Sequence, residues 1–363
     1  MLSFLAVLAA MFALPALVGA WAWRGLALRR GWVDLPDPRR LHREPTARGG
    51  GIGILLALAM AIPPLLGTDG PYGLILAGLL LTAGGGLLDD LRPLAAVPKM
   101  LLQAAGTLPL ALAVPLDPDV FGVVAGTALA WALAVALVNA WNFMDGSNGL
   151  VASQGLLVGG AAVAIALAAP AVSATPVLAG QPLLVLGTAL AGACLGFLPM
   201  NAPRARVFLG DVGSHAIGYA VAALALLAAS ADVALAGVLV EVPDAELGQL
   251  PVADALLWLP GSAVVIDTAL TLGSRILRRQ RFWLGHREHL YQRAIAAGWS
   301  HMAIAAAYAA WTLAASALAV ALIDASTRTA VAATIAVYAG GTLLHLLAGR
   351  RWPRPRQGTE RVG

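Results

Sequence analysis

Long apolar runs separated by short polar clusters make up most of this chain. Eleven runs are long enough, or nearly so, to cross a hydrocarbon core of about 30 Å, which takes roughly 20 helical residues each. They start near Leu2, Gly51, Tyr72, Lys99, Val120, Leu150, Pro182, Asp211, Ala255, Met302 and Thr329. Several are rich in Gly and Ala, which suits close helix packing in lipid and blurs their ends. The pattern predicts an all-α polytopic integral membrane protein with about 11 transmembrane helices. It reads as one domain over residues 1–349, followed by a basic tail over 350–363 that is expected to be disordered.

Composition narrows the class. With 60% hydrophobic and 12% charged residues and a mean hydropathy of +0.81, a water-soluble domain is excluded. The first run lacks a basic leader and its positive charges follow it, so a retained anchor is expected rather than a signal peptide. The one cysteine, Cys194, lies in an apolar run and offers neither a disulfide framework nor a thiolate metal site. A net charge of +4 calls for no nucleic-acid partner, because juxtamembrane arginines facing anionic membrane lipid account for it.

Arginine distribution sets the expected orientation, since short cytoplasmic loops collect Lys and Arg. Of 23 basic residues, 22 fall in Arg24 to Arg48, Arg92 to Lys99, Arg204 to Arg206, Arg275 to Arg293 and the tail from Arg350. The alternate loops hold Asp69, Asp117, Asp119, Asp232, Glu241, Asp244, Glu246, Asp254 and Asp324, with only Arg328. Eleven spans then put the N-terminus in the periplasm and the C-terminus in the cytoplasm. The motifs GLLDD, NFMDG and FLGDVGS all come to the cytoplasmic face.

Acids at a membrane rim are functional candidates, because a carboxylate near hydrocarbon costs on the order of 2.5 to 3.5 kcal/mol. Asp89 and Asp90 are adjacent and repel, so a cation or basic neighbour must compensate unless one holds a proton. Mg²⁺ supplies that compensation using few protein carboxylates, with Mn²⁺ as a substitute; the plain alternative is that the pair merely ends a helix. Asp211 stands beside Gly210, Gly213 and Ser214 at the expected start of the eighth span, where free helix-start amides favour an anion. Around Asp145, Asn142 and Asn148 offer amides able to read a base or sugar. In GHREHLYQR, His286 and His289 are spaced to share one helical face. With Arg287 and Arg293 alongside, phosphate binding is expected in preference to a zinc pair lacking a third ligand. The loop from Asp34 through Asp37, Arg40, His42, Pro45 and Arg48 to the Gly49 to Gly51 run is far more specified than a connector. Asp267 is open between a structural pairing, with Arg275 or a backbone amide, and a functional role.

In order along the chain, DxP…H…PTxRGGG, DD, NxxNxMDGxxGL, NxPxxxxFxGDxGS, DT and HRxH resemble the polyprenyl-phosphate N-acetylhexosamine-1-phosphate transferases, glycosyltransferase family 4. The likeness spans Asp34 to His301. The block HREHLYQR…AGWSH looks closest to members that initiate bacterial O-antigen and related surface polysaccharides. The resemblance implies transfer of a sugar-1-phosphate from a UDP-N-acetylhexosamine to undecaprenyl phosphate in the bacterial inner membrane, with release of UMP; it leaves room for a homodimer. It further implies that Asp211 binds the metal and that Asp89 or Asp90 deprotonates the lipid phosphate, with a covalent aspartyl intermediate as the rival. Asn142, Asp145 and Lys99, the chain's one lysine, would line the nucleotide site, and His286, Arg287 and His289 would hold the diphosphate. His42, Arg48, Asn148 and Asn201 would supply further substrate contacts. Two departures stand out: Asn148 occupies a place where the family commonly has a second Asp, and Glu288 splits the His pair. UDP-linked FucNAc, QuiNAc and GlcNAc all fit.

Two other classes compete. A transporter or flippase should carry polar groups across the bilayer instead of on one face. An intramembrane prenyltransferase should carry paired DxxxD motifs, which the chain lacks.

The orientation is testable by cysteine labelling. A cysteine at Ala47 or Ala294 is expected to be shielded from impermeant reagent in intact cells, and one at Ala245 to label. Labelling at Ala47 would reverse the orientation.

Overall fold

The computed structural model describes residues 2–34, 45–67, 70–116, 121–168, 182–229, 258–281, 286–352 and 354. Each apolar run forms a helix. In chain order these are α1 (Leu2–Arg30), α2 (Ile52–Leu66), α3 (Pro71–Leu91), α4 (Ala96–Ala113), α5 (Val123–Phe143), α6 (Leu150–Ala168), α7 (Pro182–Asn201), α8 (Gly210–Ala229), α9 (Ser262–Leu277), then a short α10 (Leu290–Ala296), α11 (His301–Ala321) and α12 (Thr327–Arg351). Local signals mark several starts. Pro71 opens α3, where a missing N–H costs nothing. The hydroxyls of Ser300 and Ser326 accept from the N–H of Ala303 (3.1 Å) and Thr329 (3.2 Å), capping α11 and α12.

Among the described residues nine helices are long and apolar enough to cross a membrane. The other two apolar helices, α2 with 15 residues and α9 with 16, are shorter. At the helical rise, 16 residues reach only about 24 Å. The eleven runs expected to be long enough, or nearly so, thus form nine full-length helices and two shorter ones among the described residues. For α9 the reason is visible: Leu259 to Gly261 turn while already buried, and the Tyr338 hydroxyl donates to the Trp258 carbonyl (3.1 Å), so the helix begins inside the bundle.

A helix that is apolar all round belongs in the interior, and α8 is that helix. Its residues from Val212 to Ala228 are buried, enclosed by α2, α3, α5, α6 and α7. The outer helices face lipid with one side. On α1, Val7, Met11, Leu14, Val18 and Trp21 recur at helical spacing and are exposed, whereas Leu8, Phe12, Ala16 and Ala20 are buried. Where α1 meets α7 the small residues do the packing: Gly192 and Gly196 abut the carbonyls of Ala9 and Ala13, so any side chain there would collide with backbone.

One end of the bundle carries the only sheet among the described residues, β1 (Val33–Asp34) antiparallel to β2 (Thr46–Ala47). The chain then runs beside the segment before α8. Phe208 N–H donates to Ala47 O (2.8 Å), Gly50 N–H to Phe208 O (2.9 Å) and Gly51 N–H to Leu209 O (2.8 Å). The Gly49 to Gly51 run is thus a backbone seam. At Gly51 the space a Cβ would need is filled by Gly213 of α8.

Ala47 and Ala294 are buried, and Ala245 lies outside the described residues, so the labelling test needs other positions. Ala297 and Asp324 are exposed, on the loops before and after α11. Replaced by cysteine, Ala297 should be shielded in intact cells and Asp324 should label. Cys194 is fully buried and adds no background.

Candidate active site

Successive helical residues point about 100° apart, so Asp89 and Asp90 at the end of α3 cannot serve one point. Asp90 turns to α8. Its two oxygens accept from the N–H of Asp211 and of Val212, 3.0 Å each, and its side chain is 1% exposed. This carboxylate caps a helix from another helix, satisfying amides that would otherwise lack partners and meeting the positive end of the helix dipole. One expectation is corrected: the amides at the start of α8 are not free for an anion, because Asp90, one of the two candidates for the acid–base role, already accepts from two of them. Arg48 reaches Asp90 at 3.9 Å. It is carried there by β2 and by Trp23, whose indole N–H donates to the Arg48 carbonyl (2.6 Å).

Asp89 turns instead to α4. One oxygen accepts from Leu94 N–H (2.6 Å), and the other meets Lys99 Nζ at 3.3 Å. Lys99 also pairs with Asp211. On the far side of Asp211, the Asn142 amide at the end of α5 donates to Oδ1 (2.9 Å) and to Ser214 Oγ (3.0 Å). Four helices thus deliver Asp89, Lys99, Asn142 and Asp211 to one partly open point. Asp145 follows in the next loop. Burial and then the Asp211 and Asp90 carboxylates push it well above the usual carboxylate range, with Arg48 and Lys99 opposing.

Beneath this point lies a polar layer that residue patterning missed. On α4, Lys99, Gln103 and Thr107 are four residues apart; on α8, Asp211, His215 and Tyr219 are too. The two rows face each other in part. The Gln103 amide donates to His215 Nε2 (2.8 Å), which leaves the proton on Nδ1, 3.3 Å from the Thr82 carbonyl. Tyr219 donates to the Ile75 carbonyl (2.9 Å). The signal was present in the spacing of His215 and Gln103 behind Asp211 and Lys99, but it needs the pairing of two helices to be read.

The loop of GHREH lies against the same end of the bundle. Residues 286–289 are not helical, so the expected shared helical face is corrected; His289 is the cap of α10. The two rings meet by stacking, with centroids 4.9 Å apart, and both lie against Phe143 at the end of α5 (6.2 and 5.8 Å). The ring nitrogens of both are buried; among the described residues those of His286 have no hydrogen-bond partner, while His289 Nδ1 faces Asp267 at 3.6 Å. Burial, with His289 and Arg275 beside it, pushes His286 down to about 4. Arg287 is exposed. Arg293 is buried and donates to the carbonyls of Gly349 and Trp352, closing the end of α12, which corrects its expected phosphate role.

Three further residues prove to be braces. Asp267 accepts from Leu290 N–H (2.8 Å), Tyr291 N–H (3.4 Å) and the Tyr308 hydroxyl (2.6 Å), with His289 Nδ1 at 3.6 Å; its pairing is with backbone amides, and Arg275 goes to Glu288. Asn201 accepts from Gly149 N–H (2.7 Å) and donates to Val207 O (3.1 Å), so its side chain is committed to backbone and not open to substrate. Asn148 donates to Pro203 O (3.3 Å), and His301 holds the same turn through Ser147 Oγ (2.9 Å). His42, with Asp37 and Arg40, lies outside the described residues.

The open carboxylates suit a hard divalent cation. Among the described residues Lys99 and Arg48 are the cations that act on Asp145, and a lysine ammonium already sits between Asp89 and Asp211. Among the described residues no three His, Cys, Asp or Glu side chains form a metal cage. Mg²⁺ needs none, since it binds through one or two carboxylates plus water and phosphate oxygens.

A glycosyl transferase family 4 model matches residues 72–229, which contain Asp89, Lys99, Asn142, Asp145 and Asp211. The decaprenyl-phosphate N-acetylglucosaminephosphotransferase of Mycolicibacterium smegmatis is 34% identical over 233 residues, 58% of this chain and 57% of its own length. The chain therefore spans little more than half of that relative. The probable undecaprenyl-phosphate N-acetylglucosaminyl 1-phosphate transferase of Bacillus subtilis is 30% identical over 289 residues, 76% of this chain and 73% of its own. A phospho-N-acetylmuramoyl-pentapeptide-transferase of Heliobacterium modesticaldum is 34% identical over 208 residues, 51% and 62% of the two chains.

The split of the DD pair predicts different phenotypes. Asp90→Asn replaces an acceptor by an NH₂ facing an amide N–H, and should cost roughly 2 kcal/mol, read as a lower thermal midpoint in detergent. Asp89→Asn should leave that midpoint nearly unchanged. Acidification should also be informative: with the folded value of His286 below that of the free side chain, the unfolded chain binds the extra proton between about pH 6.5 and 4. Stability should fall as pH drops through that window, and His286→Gln should flatten part of the fall.

Proposed function

The chain belongs to glycosyl transferase family 4, the polyprenyl-phosphate N-acetylhexosamine-1-phosphate transferases, and we propose that it moves an N-acetylhexosamine-1-phosphate from a UDP-sugar to undecaprenyl phosphate. Initiation of O-antigen or a related surface polysaccharide, at the cytoplasmic face of a bacterial inner membrane, is the setting we infer from the HREHLYQR block and the arginine distribution. The observation that carries the reading is the convergence of Asp89, Lys99, Asn142 and Asp211 from four helices beside the stacked histidines.

Phosphoryl transfer asks mainly for alignment and charge stabilisation. An oxygen of the lipid phosphate attacks the β-phosphorus of the UDP-sugar; the bond from that phosphorus to the UMP oxygen breaks, and UMP leaves with the electron pair. Asp89 keeps one oxygen toward this point and takes any remaining proton of the attacking phosphate. Lys99 offers a positive charge to the donor phosphates. Asn142 holds Asp211 in place through its amide. His286, whose ring nitrogens have no hydrogen-bond partner among the described residues, is the ring we assign to the diphosphate oxygens, with His289 stacked against it and turned to Asp267. Asp211, with Asp89, would hold Mg²⁺, which when bound offsets negative charge on the phosphates. Direct attack is favoured over a covalent aspartyl route because the lipid phosphate is already an anionic nucleophile.

Purified protein with undecaprenyl phosphate and a panel of labelled UDP-sugars should yield labelled lipid and UMP, dependent on Mg²⁺ or Mn²⁺. Asp211→Asn should abolish turnover, with excess metal rescuing little; activity within a few-fold of the parent would put the metal elsewhere. Lipid-stripped enzyme should release no UMP, and stoichiometric release with a labelled protein band would establish the covalent route instead.

A further inference from the structure

Glu288 stands between the two stacked histidines, and its surroundings are unusual for a loop residue. It is 8% exposed, in a segment with no backbone regularity from 286 to 288. Three arginines from two separate parts of the chain meet it. Arg275 of α9 and Arg278, the residue that follows that helix, each donate to one carboxylate oxygen, and Arg354, beyond α12, lies 3.6 Å from Oε2. Arg275 is itself buried and gives its other terminal nitrogen to the Arg281 carbonyl (3.2 Å). Burial raises the Glu288 carboxyl, but the Arg278 hydrogen bond and the charges of Arg278 and Arg275 outweigh it and hold it below the usual range. A buried carboxylate with paired guanidinium groups fixes position as well as charge. On the C-terminal side the loop is tied again, by Asp267 to the amides of Leu290 and Tyr291 and by Arg293 to the end of α12.

We propose that Glu288 is a positioning residue that draws the end of α9 and Arg354 onto the loop and so sets His286 and His289 for the donor diphosphate. Its insertion into the histidine block is then a working part of the site. Without it, Arg275 and Arg278 would stand unpaired beside His286, and the two rings would lose their common anchor. The inference rests on the transferase reading for its ligand, but the placement of the rings can be measured without turnover.

The test uses full-length protein in detergent, with Glu288→Gln, Glu288→Asp, Arg278→Gln and the Glu288→Gln/Arg278→Gln double variant. Carbethoxylation of each histidine by diethyl pyrocarbonate is followed by peptide mass spectrometry, with His301, held by Ser147, as the internal control. Labelling of His286 and His289 should speed up at least about threefold in both single glutamine variants, and the double variant should be no worse than Glu288→Gln alone, because both changes break one coupled unit. In the transfer assay the KM for the UDP-sugar should rise about tenfold, with kcat and the KM for undecaprenyl phosphate within about threefold, and Glu288→Asp should recover part of the loss. Should Glu288→Gln fail to fold, Arg278→Gln, whose side chain is 35% exposed, carries the test. Unchanged histidine labelling in the folded single variants, or strictly additive effects in the double variant, would overturn the proposal. A parent protein that labels as expected but transfers no sugar phosphate would refute the transferase reading and leave the positioning role standing.

Discussion

A carboxylate at the end of one helix supplies the missing acceptors at the start of another, and most of the site's geometry depends on that. By accepting from the N–H groups of Asp211 and Val212, Asp90 joins α3 to α8 end to end. The link sets the register between the helices, and the register decides where Asp211 points. It also explains why glycines cluster here: Gly210 has a positive φ of 74° and sits against the Asp90 carboxylate, while Gly51 and Gly213 let α2 and α8 touch at backbone distance. A side chain at Gly210 would be strained by its own backbone and would press on the cap.

The apolar bundle then has to tolerate polar groups well below its rim. It does so by pairing them across α4 and α8, Lys99 with Asp211 and Gln103 with His215. Each pairing satisfies a donor and an acceptor in surroundings where an unpaired group is costly. The outer helices carry none of this burden and expose leucine and valine to lipid. Precision is concentrated where four helix ends meet, and the remainder of the bundle needs only apolar surface and small residues at close crossings.

The histidine loop is built differently. Residues 286–288 have no regular backbone, and side chains from α5, α9, α11 and the residues just past α9 and α12 hold them: Phe143 under the rings, Asp267 at the amides, Tyr308 on Asp267, and the arginines on Glu288. Such a loop holds two stacked rings against the end of α5 while staying anchored on its other side. Membership in glycosyl transferase family 4 gives this arrangement its context.

Much of this was legible without coordinates. Runs of hydrocarbon-compatible residues can satisfy their backbone in lipid only as helices, so the all-α bundle follows from pattern alone, and the spaced motifs placed Asp89, Asn142, Asp145, Asp211 and the histidines among the candidates. The sequence could not tell which of two adjacent aspartates faces the site, because that depends on the rotation of α3 against α8. Nor could it separate Asn201 and Arg293, spent on backbone carbonyls and amides, from the residues left open to a substrate. The roles of Gln103 and His215 were hidden for the same reason: each spacing is ordinary on its own helix and acquires meaning only when the two helices are set side by side. Local chemistry determined which residue types reached the rim; contact between distant segments decided which of them were used up in holding the fold.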